Sequence, residues 1–264
     1  MERVALCVVC SVLVGIPIGC SSSDGGAGAG GSGGSPGTGG AAGMDGVAGN
    51  GGAAGMSGRV LLTATVTEAP SLNDLFGGPP LEGVELCEAD TTNCATTDVL
   101  GLVQIMVPAD QEVTYTVSMD GYVPYAIGDV SEPPSIGSTW PMISDSLMAE
   151  EAERVGFTWP SDDGLVALAA FPLHAGVTWT IDDETTTVYY MDEDGWAQTD
   201  VTETTGFGRG GFYDANVGVR EVDFGGAVAN CTPAIAWPGD SENQIRVPAR
   251  AGHIGYGSME CDEP

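Results

Sequence analysis

Lysine is absent from this 264-residue sequence, and all seven basic residues are arginines. They are opposed by 37 acidic residues, which leaves a formal net charge of −30. Nucleic acid is therefore excluded as an ordinary partner, because the chain would repel its phosphates. The lack of lysine also excludes a P-loop for nucleotide phosphates, since that motif requires a lysine after its second glycine.

Histidine is scarce as well, with only His174 and His253 in the chain. There is no H-x-x-E zinc motif, and G-x-S-x-G occurs only within the glycine-rich segment of residues 24–58, where no predicted strand and helix flank it to form a nucleophile elbow, so carboxylates are the remaining candidates for chemistry. Carboxylates in exposed turns keep pKa values of about 4, too low for a general acid at neutral pH. We therefore predict that the protein is not an enzyme. A hydrolase that uses loop carboxylates is the alternative.

Residues 4–18 form an apolar run that is too short to span a membrane. Fifteen residues of α-helix rise about 22 Å, against a hydrocarbon core of about 30 Å. This length is typical of the apolar region of a signal peptide. The small residue Gly19 and then Cys20 follow the run directly.

The stretch Pro17-Ile18-Gly19-Cys20 resembles the lipobox of bacterial lipoproteins. The resemblance implies a signal peptide over residues 1–19, cleavage before Cys20 and a lipid on the Cys20 sulfur. The stretch departs from the family pattern at Pro17, where leucine is usual, and the acidic Glu2 is a second departure. An ordinary cleaved signal peptide with a chance cysteine is one alternative, and a membrane helix is another.

A glycine-rich segment follows the cysteine, with 17 glycines among residues 24–58. Such a segment buries too little apolar surface to offset its ordering entropy, so we predict that residues 20–58 comprise the lipid-anchor cysteine and a disordered tether. The tether, residues 21–58, spans about 34 Å on average. The lipobox resemblance then implies a membrane partner through the lipid at Cys20. Ser21, in place of the aspartate that marks inner-membrane retention in that family, favours the outer membrane, on its periplasmic or its surface side.

Four of the seven cysteines remain once the signal peptide and the lipid site are set aside. They are Cys87, Cys94, Cys231 and Cys261. An even number in a compartment that permits disulfides predicts two bridges, and three pairings are possible. The most local one joins Cys87 to Cys94 and Cys231 to Cys261. A metal site is the rival, but the cysteine spacing is wider than in zinc sites and no histidine lies near either pair.

The remainder of the chain has the pattern of a mostly β protein. Short runs rich in β-branched and aromatic residues are separated by Asp-Gly and Pro-containing turns, as in an antiparallel β-sandwich. The first strand candidates are residues 60–66, 83–87, 102–107 and 113–119.

Within these strands the sequence resembles the carboxypeptidase-regulatory-like domain over about residues 59–127. That family has a transthyretin-like, or prealbumin-like, β-sandwich, so the resemblance implies the same fold here. The positions that carry it are Leu81, Gly83, Val84, Thr97, Asp98, Gly101, Val107, Pro108, Gly121 and Tyr122. The histidine-glutamate zinc motif of the peptidase that often accompanies this domain is missing.

A weaker second copy follows the first. Residues 165–171 parallel residues 60–66, Gly176 parallels Gly83, and Gly206 parallels Gly101. We predict two tandem antiparallel sandwiches of the transthyretin-like kind, joined by one short α-helix over residues 143–155. The predicted parts are residues 59–140, the connector 141–157 and residues 158–264. One larger, irregular β domain is the alternative.

Calcium is the one metal that the sequence suggests. Asp192-x-Asp194-Gly195 resembles part of an EF-hand loop, but the first and last ligand positions would be Tyr190 and Val201. We therefore name Asp192 and Asp194 as candidate Ca²⁺ ligands, against the alternative of an acidic loop with an Asp-Gly turn. No other cofactor is expected.

Aromatic side chains give a second binding signal. They cluster around the interdomain segment (Tyr122, Tyr125, Trp140, Phe157, Trp159), flank the acidic loop (Tyr189, Tyr190, Trp196) and include Trp237. Aromatic rings stack on sugars, and the prealbumin-like fold binds carbohydrate in some relatives. The alternative is that these rings fill two small cores and their interface. The prediction is a lipid-anchored cell-envelope protein that presents non-catalytic sandwiches for structural, adhesive, carbohydrate-binding or protein-binding contact; the alternative is an envelope hydrolase.

Overall fold

A computed structural model of the chain describes residues 58–72, 74–130, 138–173 and 175–262. The predicted signal peptide, the lipid site Cys20 and the tether up to residue 57 lie outside these residues. All described residues belong to one compact unit, Gly52–Pro264. Within them, no helix is long and apolar enough to cross a membrane.

The described chain is mostly β with a single helix, as the sequence predicts. The first half contains β1 (Arg59–Glu68), β2 (Glu85–Glu88), β3 (Cys94–Thr96), β4 (Leu102–Pro108), β5 (Glu112–Ser118), β6 (Tyr125–Val130) and β7 (Ser138–Met142). Helix α1 (Asp145–Val155) follows. The second half contains β8 (Gly164–Phe171), β9 (Val177–Ile181), β10 (Thr187–Met191), β11 (Ala197–Gln198), β12 (Arg209–Ala215), β13 (Gly218–Gly226), β14 (Ala229–Ile235), β15 (Trp237–Pro238), β16 (Gln244–Ala249) and β17 (Ile254–Asp262).

Two packed layers make up the first half. Strands β4-β1-β7 form one layer, and β3-β2-β5-β6 form the other. Alternate residues of β4 are buried, so Val103, Ile105 and Val107 face the core while their neighbours face outward. This two-residue period is what buries one face of each sheet.

The second half repeats the strand pairing of the first. Strand β8 pairs antiparallel with β12 as β1 does with β4, and β9 pairs with β13 as β2 does with β5. Strand β13 then pairs with β16 as β5 does with β6. The last strand, β17, runs parallel to β8, as β7 runs parallel to β1. Two segments of the second half have no such counterpart: the β10–β11 hairpin and the β14–β15 segment.

The turns that precede β4 and β12 have the same hydrogen bonds. Thr97 Oγ1 accepts from Val84 N at 2.9 Å, and Thr204 Oγ1 accepts from Val177 N at 2.9 Å. Gly101 and Gly208 close these turns with φ of 72° and 58°, a left-handed conformation that glycine adopts without strain.

Two of the residue correspondences that the sequence suggests between the halves are therefore shifted along the chain. Gly208 corresponds to Gly101, not Gly206, because its N–H closes the turn on the Thr205 carbonyl as Gly101 closes on Asp98. Ala170, not Phe171, corresponds to Val66, because Ala170 N donates to Gly208 O as Val66 N donates to Gly101 O. The match of Gly176 to Gly83 agrees with the shared threonine contacts.

The sheets are mixed, which corrects the prediction of purely antiparallel sandwiches. Strand β17 lies between β8 and β6 and is parallel to both. One sheet therefore runs β11-β10-β12-β8-β17-β6-β5-β2-β3 through both halves of the chain, and β14 also pairs with β17. The remaining strands of the second half form the sheet β15-β16-β13-β9.

The β14–β15 segment fastens the second half to the first. Trp237 is buried, and its indole N–H donates to the carbonyls of Val113 at 3.2 Å and Asp129 at 3.1 Å. Glycine at position 128 allows this approach, since a Cβ there would lie 2.9 Å from the Trp237 ring. Arg246, whose guanidinium is near the Trp237 ring, pairs with Glu112 of the first half.

Helix α1 lies within the predicted residues 143–155 and has a cap at each end. Ser144 caps the N-terminus by accepting from Leu147 N, and Gly156 ends the helix in the left-handed conformation at φ 81°. Met148, Glu151 and Ala152 form its buried face. The helix directly follows β7, the final strand of the first half.

The four cysteines among the described residues form two disulfides, in the pairs that are closest in sequence. Cys87 and Cys94 lie opposite each other on β2 and β3 with their sulfurs 2.05 Å apart. Cys231 and Cys261 join β14 to β17, with sulfurs 2.14 Å apart. Each bridge stays within one half and ties a peripheral strand to its neighbour.

The buried hydroxyl of Thr97 is expected to stabilise the first half of the fold. Thr97→Val leaves Val84 N without its acceptor and Leu81 O without its donor, so the free energy of unfolding should fall by about 1–3 kcal/mol. Chemical denaturation measures the change. Thr96→Val, at the exposed neighbouring position on β3, is the control and should change stability by less than about 0.5 kcal/mol. Equal unfolding midpoints for the two variants would contradict the assignment.

Candidate functional site

A cavity of about 190 Å³ lies at the junction of the two halves. The first half contributes residues of β6, β7 and the loop that follows β1. The second half contributes residues of β8, β10, β12, β14 and β17, and helix α1 contributes Met148 and Glu151. Phe76, which is 43% exposed, lines the cavity from the loop after β1. The wall is overwhelmingly apolar.

The inner wall is built on β8, which is buried on both faces. Val166 and Ala170 belong to the hydrophobic core of the second half. Leu165 and Ala167 alternate with them and line the cavity. A strand that must satisfy two apolar environments has a nearly continuous apolar sequence, and the GLVALAAF of β8 has this form.

Stacked aromatic rings form another part of the wall. Tyr189 and Tyr213 lie 4.4 Å apart between ring centroids, and Phe157 stacks on the other side of Tyr213 at 4.1 Å. Burial raises the pKa of both tyrosine hydroxyls well above the ordinary value, and the nearby Glu151 carboxylate raises it further. These hydroxyls stay neutral at physiological pH, so the rings offer apolar surface and no charge.

Glu151 is the only carboxylate among the described residues that line the cavity. It is 4% exposed and pairs with Arg154 at 2.7 Å. It also accepts from Ala197 N at 2.9 Å, while Arg154 donates to Ala197 O at 2.7 Å. The helix thus holds the β10–β11 hairpin through the backbone groups of Ala197, and the Glu151 charge is compensated there.

The predicted calcium ligand Asp192 lies in the turn of this hairpin. Its Oδ1 accepts from Asp194 N at 3.0 Å and Trp196 N at 2.9 Å, and its Oδ2 accepts from Gln198 Nε2 at 2.7 Å. Asp98 holds the turn before β4 in the same way, through Leu100 N and Leu102 N. Both carboxylate oxygens of Asp192 therefore have a structural role in the turn.

The structure does not place Asp192 and Asp194 in a group of three potential metal ligands. Among the described residues, the group close enough to share an ion is Glu85, Cys87 and Cys94, and its two cysteines are joined as a disulfide. Calcium binding at Asp192 and Asp194 stays a prediction.

Asp183, in the acidic stretch before β10, has its own set of donors. Burial by itself raises the pKa of its carboxyl group, but hydrogen bonds from Thr185 and Asn216 outweigh burial and lower the pKa to about 2. Asn216 N donates to it at 2.8 Å, which ties this turn to the end of β12. The carboxylate is a structural acceptor that stays ionised through the physiological range.

No histidine among the described residues lines the cavity. His253 is outside the cavity wall, with its Nδ1 2.8 Å from Ala251 O, and His174 lies outside the described residues. The described wall therefore offers neither a pair of carboxylates nor a carboxylate beside a histidine. The arrangement can bind apolar groups, and it provides no described pair of groups for acid–base catalysis.

Most of the aromatic residues that suggested sugar stacking lie in the cores. Tyr125, Trp140, Tyr189, Tyr190 and Trp237 are buried. Tyr122, Phe157, Trp159 and Trp196 are partly buried and pack against the first core. The sequence places several of these rings near the interdomain segment, but it gives no sign of the cavity that Tyr213 and Arg209 of β12 help to line.

No protein-family model matches the sequence, and no curated protein matches it. Solved structures with a likeness include GBS52, the minor pilin of Streptococcus agalactiae, at 11% identity and a TM-score of 0.26, over 78% of this chain and 96% of that one. The shaft pilin spaA from Lactobacillus rhamnosus GG is 10% identical with a TM-score of 0.21, over 78% and 98%.

A cohesin–X-dockerin complex from Acetivibrio cellulolyticus is 20% identical with a TM-score of 0.24, over 32% of this chain. This chain spans 56% of the length of that one. These likenesses are to other β-rich proteins and are too distant to indicate a function.

Glu151 is expected to hold the hairpin on the helix. Glu151→Gln weakens, but does not abolish, the hydrogen bonds to Arg154 and Ala197. Hydrogen bonds to charged groups contribute about 2 kcal/mol each, so the free energy of unfolding should fall by about 2 kcal/mol in total. Chemical denaturation measures this loss, and amide exchange should show faster opening of residues 187–198. The control is Glu153→Gln on the exposed face of the same helix. Unchanged exchange in the hairpin would contradict this role.

Proposed function

We propose that this protein is a non-catalytic binding protein of the bacterial cell envelope. Cys20 carries its lipid anchor, residues 21–58 tether the folded unit, and two tandem transthyretin-like sandwiches bind a small apolar ligand in the cavity at their junction. The outer membrane is the proposed location. The mature chain acts by holding its ligand, not by converting it.

The observation that carries the binding role is the cavity itself. It is lined by side chains from both halves and from the helix between them, and its wall is overwhelmingly apolar. Cavities of about this size with apolar walls stay dry and accept ligands such as benzene. A cavity of about 190 Å³ therefore fits a ligand, or the end of a ligand, of roughly one aromatic ring.

The anchoring role is supported by the sequence that precedes the folded unit. An apolar run, Gly19 and Cys20 stand in the lipobox order, and a glycine-rich segment separates them from β1. The sandwich identity is supported by the matched turns at Thr97 and Thr204 and by the repeated strand pairing. A protein or glycan partner on the outer surface is the other binding role that the sequence suggests, but most of the candidate aromatic rings are buried.

The anchor can be tested with Cys20→Ala. The variant should lack the lipid and leave the membrane fraction or remain unprocessed, because the sulfur is the site of acylation. Fractionation and mass spectrometry of the mature N-terminus make the measurement. Ser21→Ala is the control and should remain in the membrane. Normal processing and full membrane retention of the Cys20 variant would contradict the proposal.

The cavity can be tested with toluene, which carries no charge and matches its size. Nuclear magnetic resonance should show saturable shifts of Leu165, Ala167 and Tyr213. Ala167→Leu places three extra carbons at the cavity wall, so toluene should bind at least tenfold more weakly. Ala234→Leu, at an exposed position on β14, is the control and should bind toluene as the parent does.

Absence of saturable toluene binding would overturn the ligand-binding role. Equal toluene affinity in Ala167→Leu and the parent would place binding elsewhere. The hydrolase alternative would gain support if turnover of peptidoglycan, esters, peptides or polysaccharides were abolished by one carboxylate substitution that leaves the fold intact.

A further inference from the structure

Five of the six arginines in the described chain make an ion pair, and Arg209 is the exception. The pairs are Arg59–Glu88, Arg154–Glu151, Arg220–Asp182, Arg246–Glu112 and Arg250–Asp90. In a chain with 37 acidic residues, a cation that meets no carboxylate in the described part of the fold is unexpected. Its position explains why: Arg209 begins β12 and lines the cavity.

The Arg209 guanidinium lies against an aromatic ring. Its Cζ is 4.8 Å from the centroid of Phe207, and Tyr256 lines the same cavity. Burial lowers the pKa of Arg209, although arginine keeps its charge at any physiological pH. The cavity therefore has one permanent positive charge with no counter-ion supplied by the described residues.

A half-buried guanidinium with no carboxylate partner in the described part of the chain favours an anion from outside. Its planar fork of N–H donors matches the two oxygens of a carboxylate, and such pairs are strong where water is excluded. The other charged group on the described wall, Glu151, already has Arg154 and the Ala197 N–H as partners. It does not neutralise Arg209, but its negative charge disfavours a ligand with two negative charges.

We propose that the cavity binds a monocarboxylate with an apolar body about the size of one aromatic ring, and that Arg209 recognises the carboxylate. This inference rests on the proposed ligand-binding function and specifies its ligand class. The apolar body occupies the space between β8 and β12, against residues such as Ala167 and Tyr213, while the carboxylate accepts hydrogen bonds from Arg209. The neutral tyrosine rings of the wall add apolar surface and no competing charge.

Phenylacetate and phenylacetamide form a matched pair of probes. They share the apolar ring and differ in charge, so the ratio of their affinities isolates the contribution of Arg209. Calorimetric titration of the mature, unlipidated chain at pH 7 should show phenylacetate binding at least tenfold more tightly. At pH 3, where the acid is mostly protonated, the preference should disappear, since carboxyl groups of this kind have pKa values of about 4.

Arg209→Gln should lose the preference for phenylacetate and keep its affinity for phenylacetamide within about threefold. Arg220→Gln removes an arginine outside the cavity wall and should bind both probes as the parent does. If Arg209→Gln does not fold, the pH dependence of the parent decides the question.

Two results would overturn the inference. One is equal affinity of the parent for both probes, and the other is a carboxylate preference that survives in folded Arg209→Gln. Toluene binding in the same preparations separates the two proposals. Saturable toluene binding without a carboxylate preference leaves the cavity function standing and refutes the role of Arg209; failure of all three probes refutes both.

Discussion

The parallel pairing of β17 with β8 and β6 is the interaction on which the rest of the structure depends. Seven residues of β17 pair along β8, and the first three of them also pair with β6. Because the main-chain groups of Ile254, Gly255 and Tyr256 are committed on both sides, the two halves cannot separate without exposing a row of buried hydrogen-bonding groups. Trp237 and the Arg246–Glu112 pair act beside this seam and add side-chain contacts to it. The cavity lies where this pairing holds the two halves together and their side chains do not fill the space between them.

Local chemistry makes part of this fold readable from the sequence. The turn at Thr97, Asp98 and Gly101 is recognisable because each residue meets a local requirement. The Thr97 hydroxyl bridges two backbone groups, the Asp98 carboxylate accepts from two N–H groups, and Gly101 takes a positive φ. The caps of helix α1 and the short cysteine loop at Cys87 and Cys94 are signals of the same kind. In each case the partners are close in sequence, or the residue type suits one particular backbone conformation.

Strand register and long-range strand pairing are harder to predict from the sequence. Residues 206–211 contain four glycines, and the sequence alone does not say which of them takes the turn position, so it points to Gly206 where the structure has Gly208. The apolar run of β8 has no polar residue to mark its faces, which allows a slip of one residue. The position of β17 between the halves, and the lack of a carboxylate partner for Arg209 among the described residues, are set by tertiary packing. Residue types alone give no sign that five arginines find carboxylates in the described chain and the sixth does not.

The location of β1 has a mechanical consequence. Strand β1 is the first described strand after the glycine-rich segment, and it lies in the middle of its sheet, antiparallel to β4 over seven residue pairs and parallel to β7 over five. A force applied along the axis of β1 would therefore load the hydrogen bonds on both of its edges at the same time, in shear. A strand at the edge of a sheet, pulled across its length, would release its bonds one by one at much lower force. The pairing of β1 on both edges thus makes the N-terminal strand of the described fold resistant to tension along its axis.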